Sequence, residues 1–142
     1  MSTYEGQVAI AWDHAANPSE GGTYPFALDR SVTPTEVDLR PAMRAAVEDV
    51  LSGVPAGDIS ARFHNTLATL TTEVIGGLLA EFGDLPVALT GGVFQNARLT
   101  ANIMKKLPSE IQVLRHAEVP PGDGGIALGQ ALIADAILGD KG

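Results

Sequence analysis

Two glycine-rich segments carry residues suited to binding a phosphate group. TGGVFQN covers residues 90–96, and PPGDGG covers residues 120–125. Each is predicted to lead into a helix N-terminus, where free backbone amides and the helix dipole favour an anion. Glycine permits positive φ and lets a ligand approach the backbone closely. The two segments could therefore form a phosphate-accessible site, or they could be tight turns that bind nothing.

Asp123 is the acidic residue of the second segment. One interpretation is an N-cap for the last helix, a position where aspartate is common. The other is a ligand for a metal or a metal–phosphate group. A single carboxylate cannot hold a metal alone, and octahedral Mg²⁺ would take its other ligands from water and phosphate. The two roles are compatible, so both stay open.

The apolar pattern around these segments predicts a strand, a helix, a strand and a helix. The first strand, 87–89, is expected to be buried on both faces. A helix over about 96–107 and a strand over 111–114 follow. The final helix, 125–138, is apolar nearly all round, so we expect it to be deeply packed. Such a crossover makes the strands parallel and brings both glycine segments to their carboxyl edge, where ligands bind in open α/β sheets.

The rest of the chain is predicted to be mostly helical. A short helix over 4–12 and a short strand over 23–28 are expected in an otherwise irregular start, followed by a helix over 38–51. The clearest helix has apolar residues at 3.6-residue spacing from 59 to 78. Pro55 suits its beginning and Gly83 its end. We predict one domain, 1–142, made of an irregular part, 1–40, a helical part, 41–84, and a β–α–β–α core, 85–142.

Composition limits the classes of protein. The 142 residues are 45% hydrophobic, which is enough for a core, and there is no cysteine, hence no disulfide or thiolate metal site. A net charge of −8 argues against binding to a nucleic-acid backbone. No apolar run is long enough for a membrane helix, and the N-terminus does not resemble a signal peptide. We therefore expect a cytoplasmic protein with no nucleic-acid or membrane partner.

Other common motifs do not match. His14, His64 and His116 have neither HxxxH nor HExxH spacing, so no transition-metal site is encoded locally. His64 could be a satisfied core histidine or could line an active-site cleft. There is no GxxxxGK[ST] motif. Residues 122–127 match the dinucleotide fingerprint in form, but no later strand could supply its acidic ribose ligand, so we reject it.

Four motifs together resemble the HypF family, carbamoyltransferases that mature nickel–iron hydrogenases. They are YEGQ at 4–7, ARFHNTL at 61–67, LTGGVFQN at 89–96 and VPPGDGGIALGQA at 119–131. They occur in the family's order and span nearly the whole chain. Two departures from the family's motifs are mild. Thr90 stands where serine is usual, and Gly122 stands where asparagine is usual.

The resemblance implies a fold and a set of site residues. The fold would be the C-terminal lobe of an actin/hexokinase/Hsp70-like (ASKHA), Kae1-like domain, an α/β fold with a parallel β–α–β core and extra helices. Asp123 would be a ligand of the active-site metal, which could be Mg, Fe or Zn. Other motif residues would contact the nucleotide or its phosphates: Gly91, Gly92, Asn96, Gly124, Gly125 and, from the other side, Gly6.

The resemblance also implies an activity. In this family a YrdC-like domain makes carbamoyl-adenylate from carbamoyl phosphate and ATP. The Kae1-like domain then passes the carbamoyl group to the C-terminal cysteine of HypE, and the product becomes the cyanide ligand of hydrogenase. ATP or carbamoyl-adenylate is therefore the expected nucleotide, and HypE the expected partner.

The chain lacks several parts of that family. The YrdC-like domain and the first half of the Kae1-like domain, which carries the paired histidines of the metal site, are missing. We expect a separated piece or a split gene product that supplies one wall of the cleft, needs the rest of HypF, and is inactive alone. Its uncovered apolar face predicts a homo-oligomer or a sticky monomer. Alternatives are a nucleotide-binding or interaction module without chemistry, and an O-carbamoyltransferase or tRNA threonylcarbamoyl transferase relative.

Overall fold

A computed structural model describes residues 3, 4 and 6–139 of the chain. The elements within these residues are five α-helices and four short strands. In chain order they are α1 (Gln7–Ala15), β1 (Ala27–Asp29), β2 (Glu36–Asp38), α2 (Arg40–Leu51), α3 (Ala56–Phe82), β3 (Val87–Leu89), α4 (Ala97–Lys106), β4 (Val113–Arg115) and α5 (Ile126–Gly139). Two 3₁₀ turns, Gly92–Gln95 and Asp123–Gly125, precede α4 and α5. None of the described helices is long and apolar enough to cross a membrane.

The predicted β–α–β unit is present. β3 pairs with β4 in parallel, with Val87 opposite Val113 and Leu89 opposite Arg115. The crossover contains α4, which begins and ends within one residue of the predicted helix, and Asn96 is its N-cap. Since the strands are parallel, the two glycine segments follow them at the same edge of the sheet. The sequence prediction of this edge is therefore correct.

The long helix α3 connects two apolar cores. One core contains Ala68 of α3 with Leu89, Leu99 and Ile103, and it holds α4 against β3. The other contains Ile59 of α3 with Tyr24 and Ala42, and it holds α2 and the N-terminal segment. The helix ends at Gly83, whose φ of 84° and ψ of −168° lie in a region that glycine adopts readily and other residues rarely adopt. Residues of α3 therefore contact both the β3–α4 region and the N-terminal segment.

The helix α1 lies close against the start of α3. A Cβ atom at Gly57 would lie 2.7 Å from the carbonyl oxygen of Ala15, so only glycine permits this approach. The backbone N–H of Asn17 donates to Gly57 O at 2.9 Å, and the Ser60 hydroxyl donates to Trp12 O. Arg98 of α4 donates to Ala16 O at 2.9 Å. The close approach at Gly57 and three hydrogen bonds thus fix the position of α1.

A polar cluster ties the N-terminal segment to α2 and α3. Arg62 lies 2.7 Å from Asp49 and 3.0 Å from Glu20, and the Tyr24 hydroxyl donates to Asp49 at 2.7 Å. The hydroxyl of Tyr24 and then Arg62 lower the pKa of Asp49, whereas the Gly22 backbone N–H and then Arg62 lower that of Glu20. Burial and then Asp49 raise the pKa of Tyr24 to about 12.

The raised pKa of Tyr24 predicts alkaline destabilisation. The neutral phenol is favoured in the folded state, so its contribution is fully present below pH 10 and is lost as pH rises towards about 12. Urea unfolding followed by circular dichroism between pH 8 and 12 should show the wild-type midpoint falling over this range. Tyr24→Phe has nothing to ionise at this position and should show a flatter profile. Parallel losses in the two proteins would contradict the prediction.

The structure contradicts two burial predictions. No described residue of α5 is buried, and Leu132 and Leu138 are 62% and 70% exposed. In β3, Leu89 is buried but Ala88 is exposed, so the strand is covered on one face only. The physical reason is that Leu89 packs against Ala68 of α3 and against Leu99 and Ile103 of α4, on one side of the sheet. Among the described elements, the substantial contact of α5 is with the 3₁₀ turn that precedes it.

One further element was not expected. β1 pairs antiparallel with β2, whereas the sequence predicted a single strand ending at residue 28. Glu36–Asp38 is short and largely polar, and it therefore has no apolar alternation from which a strand could be predicted. The helix α1 also begins and ends three residues later than predicted.

Candidate functional site

Both glycine segments open onto a cleft of about 800 Å³. Its second wall is the helix α1 with the residue before it. The lining residues are Gly6, Ala9, Ile10, Asp13, His14, Gly92, Val93, Gln95, Asn96, Ala97, Gly122, Asp123 and Gly124. Five predicted site residues thus face one space, namely Gly6, Gly92, Asn96, Asp123 and Gly124.

The two glycine segments contact each other directly. The backbone N–H of Gly91 donates to Pro121 O at 2.7 Å. Gly91 has φ 97° and ψ 160°, a region that is essentially restricted to glycine. Gly91 and Gly125 do not line the cleft. The lack of a side chain at these two positions instead permits the conformation of the loops. A Cβ at Gly125 would lie 2.9 Å from Pro120 O.

Gly92 has a different environment from Gly91. It begins the first 3₁₀ turn with a negative-φ backbone conformation, and a Cβ atom built there would meet nothing within 4 Å. The free protein therefore tolerates a side chain at this position, although that side chain would occupy the cleft. Gly92 leaves space for something outside the chain, which is the close approach that ligand-binding glycines permit.

Asn96 joins the cleft to the interior. Its side-chain oxygen accepts from the backbone N–H of Leu99 at 2.8 Å, which caps α4. Its amide nitrogen lies 3.0 Å from Nε2 of His64. His64 is 3% exposed and is not a lining residue, so the core interpretation of this histidine is correct. It nevertheless contacts a residue that lines the cleft.

Asp123 is exposed at the start of the second 3₁₀ turn. The N-cap position of that turn is Gly122, and no side-chain capping bond is made there. The prediction that Asp123 caps the last helix is therefore wrong, because the 3₁₀ turn separates it from α5. Asp123 lines the cleft, and no described residue makes a hydrogen bond or ion pair with its carboxylate. Among residues 3, 4 and 6–139, no three histidine, aspartate or glutamate side chains lie together as a metal site would require.

The α1 wall adds residues that spacing did not reveal. Asp13 and His14 line the cleft opposite the glycine segments, and Arg98 lies 3.8 Å from Asp13. Local motifs could not identify them because they come from a helix about 80 residues earlier in the chain. Gly6, with φ 80°, leads into this helix. Glu5 of the YEGQ motif lies outside the described residues.

The amino-acid sequence matches a known protein family over most of its length. Residues 1–130 match the family described as "Carbamoyltransferase, Kae1-like Domain, second subdomain". The chain is 34% identical over 132 residues to carbamoyltransferase HypF of Synechocystis sp., covering 92% of this chain and 16% of that protein. It is 30% identical over 161 residues to HypF2 of Cupriavidus necator, covering 92% of this chain and 19% of that one. The chain thus spans less than a fifth of the length of these relatives.

A solved structure that resembles this chain comes from the same family as the relatives found by sequence. The crystal structure of full-length HypF in the phosphate- and nucleotide-bound form has a TM-score of 0.86 to this chain at 35% identity. The match covers 96% of this chain and 18% of that one. The predicted ASKHA-type α/β lobe is therefore confirmed. The chain belongs to the HypF carbamoyltransferase family, in which it corresponds to the second subdomain of the Kae1-like domain.

Proposed function

We propose that this chain is the C-terminal lobe of a HypF-type carbamoyltransferase and binds ATP or carbamoyl-adenylate in its cleft. The observation that carries the proposal is that two glycine segments, which contact each other through Gly91 and Pro121, line one open space with Gly92 and residues 122–124. Amides at the start of each 3₁₀ turn can donate to phosphate oxygens, as at other anion-binding turns. The related HypF structure was solved with phosphate and nucleotide bound, which supports this class of ligand.

Asp123 is proposed as one ligand of a divalent metal. Its exposed carboxylate faces the same cleft as the glycine amides, and Mg²⁺ commonly joins one or two carboxylates to substrate phosphates. The described residues contain no set of three ligands. The remaining ligands would come from the phosphates and from the first half of a Kae1-like domain, and the metal is proposed to be Mg, Fe or Zn.

The proposed reaction is an acyl transfer to sulfur. The thiolate of the C-terminal cysteine of HypE attacks the carbonyl carbon of carbamoyl-adenylate. A C–S bond forms, the C–O bond to the phosphate breaks, and AMP leaves with the electron pair. The role of this chain is to hold the adenylate phosphate against the glycine amides, so that the carbonyl is oriented for attack. The thiocarboxamide product then serves cyanide-ligand synthesis for hydrogenase.

The exposed face of α5 is proposed as the contact with the rest of the protein. Its exposed apolar side chains form a patch that a monomeric protein rarely leaves open: Ile126, Leu128, Leu132, Ile133, Ile137 and Leu138. Since relatives are more than five times longer, the first half of the Kae1-like domain is the proposed occupant. A second copy of this chain is the alternative, and light scattering of the isolated chain would detect it.

We place the protein in the cytoplasm.

Reassembly tests the proposal. The chain alone should transfer no carbamoyl group to HypE, and addition of a separately produced N-terminal portion of HypF should restore transfer. Transfer is measured by mass spectrometry of the HypE C-terminal peptide, and adenylate formation by the YrdC-like domain serves as the control that the added portion is folded. A folded, saturating partner that restores no transfer would contradict the proposal. Association without transfer would favour an interaction module that lacks chemistry.

A further inference from the structure

A buried series of hydrogen bonds connects the two walls of the cleft through α3. The Ser60 hydroxyl donates to Trp12 O of α1, and the Ser60 carbonyl lies 2.8 Å from Nδ1 of His64. Nε2 of His64 lies 3.0 Å from the amide nitrogen of Asn96, whose oxygen accepts from Leu99 N–H. Ser60 is fully buried and His64 is 3% exposed, so water does not compete for these bonds.

The partners determine the direction of each bond. A backbone carbonyl only accepts, so the Nδ1 atom of His64 must carry the hydrogen that faces Ser60 O. In the neutral ring Nε2 is then an acceptor, and it receives a hydrogen from the Asn96 amide. The Asn96 oxygen is already the acceptor for Leu99, so the amide cannot be reversed without losing the helix cap. One tautomer and one amide orientation satisfy every contact.

This arrangement controls what Asn96 can offer to a ligand. A side-chain amide is planar and carries two N–H groups. With its oxygen bonded to Leu99 and one N–H bonded to His64, the direction of the second N–H is set by the other two contacts. Asn96 lines the cleft, so this second N–H is the polar group that its side chain has left for a bound molecule. Orientation by surrounding groups is what makes such a donor effective.

We infer that His64 is a positioning residue that orients the Asn96 amide towards the nucleotide. Through Ser60, the same series of hydrogen bonds also connects Asn96 to α1. The inference rests on the proposed nucleotide-binding function and goes beyond it by assigning a role to a residue that does not reach the cleft. It also predicts which imidazole nitrogen carries the hydrogen.

The tautomer is the first test. Long-range ¹⁵N–¹H NMR of the labelled chain should show His64 with hydrogen on Nδ1 and none on Nε2. In Asn96→Asp the carboxylate can still cap α4 but can no longer donate, so a hydrogen should appear on Nε2. Hydrogen on Nε2 in the wild-type protein would overturn the inference, and so would an unchanged signal in Asn96→Asp.

Nucleotide affinity is the second test. His64→Leu removes the acceptor for Asn96 and should weaken ADP binding in calorimetry by roughly three- to tenfold, since a hydrogen bond contributes on the order of 1 kcal/mol. His64→Gln, whose side-chain oxygen can accept the same hydrogen, should recover most of the affinity. Equal affinity of His64→Leu and wild type, or no recovery in His64→Gln, would overturn the inference.

A matched control separates positioning from stability. Thr66 is fully buried on the same helix and accepts from Tyr24 N–H at 2.7 Å, on the side away from Asn96. Thr66→Val should lower stability and leave ADP affinity unchanged; an equal affinity loss in Thr66→Val and His64→Leu would overturn the inference. If the isolated wild-type chain binds no ADP, affinities are measured in the reassembled protein. Failure of the wild type there contradicts the proposed function, whereas the NMR result still decides the His64–Asn96 bond.

Discussion

Gly92→Val should lower the affinity of the chain for ATP or ADP by at least about tenfold while leaving its fold intact. The wild-type position meets nothing within 4 Å and has an ordinary backbone conformation, so the added side chain causes no internal clash. We expect the free energy of unfolding to change by less than about 0.5 kcal/mol, as for other surface substitutions. Because Gly92 lines the cleft, the valine would occupy space that a phosphate group needs. A loss of about 1.4 kcal/mol in binding already corresponds to tenfold.

Gly76→Val is the matched control for this prediction. Gly76 also meets nothing within 4 Å, but it lies on α3 and is not a lining residue of the cleft. Calorimetric titration with ATP and ADP in the presence of Mg²⁺ should show wild-type affinity for Gly76→Val and loss for Gly92→Val. Similar affinities in the two variants would mean that nucleotide does not approach the first glycine segment. Absence of binding in the wild-type chain would require the same titration after reassembly.

The sequence predicted the parts of the fold whose signals are local. The strand 87–89 was placed at its observed bounds, and α4 begins after Asn96 because that side chain is a helix cap. The spacing of apolar residues along α3 and the glycine at its end were also sufficient. In these elements the period, the capping residue and the packing all favour the same structure.

Burial of α5 and β3 could not be predicted because hydrophobic pattern does not show which elements will pack on a surface. A helix that is apolar all round is typical of a buried environment, and the sequence of α5 has that composition. The chain covers 16% and 19% of two of its relatives, and the proposed contact of α5 with the rest of the protein would account for this pattern. Here the same residues are exposed, as Leu132 and Leu138 illustrate. Hydrophobic pattern indicates that a surface is to be covered, but not by which chain.

The candidate site was predictable in its loops but not in its other contacts. Loop glycines and Asp123 form recognisable motifs, and the parallel strands bring both segments together. Their role towards a nucleotide or metal stays a prediction. Asp13 and His14 come from α1, and no local spacing relates them to residue 123. The bond between His64 and Asn96 was missed because the sequence left His64 open between the core and the cleft and indicated no partner for it; a serine four residues earlier, Ser60, was the available sign of a polar network.

Asp123→Asn should separate the chemistry of the site from its structure. The Asp123 side chain makes no cap bond in its 3₁₀ turn and is exposed, so unfolding should change by less than about 0.5 kcal/mol. Carbamoyl transfer by the reassembled protein should fall at least about a hundredfold, the size of effect seen when a single electrostatic contact to a developing charge is removed. Metal content of the reassembled protein, measured by mass spectrometry, should fall with it.

Asp84→Asn provides the control for loss of a negative charge. Asp84 is exposed in the loop after α3 and does not line the cleft, so transfer activity and metal content should stay at wild-type values. If Asp123→Asn behaves in the same way, its carboxylate does no more than complement the dipole of the turn that it begins. In that case Asp13, the second carboxylate among the described lining residues, becomes the one to test, although Arg98 lies 3.8 Å away and already offsets its charge. Retention of metal with loss of transfer would instead assign Asp123 to the orientation of substrate.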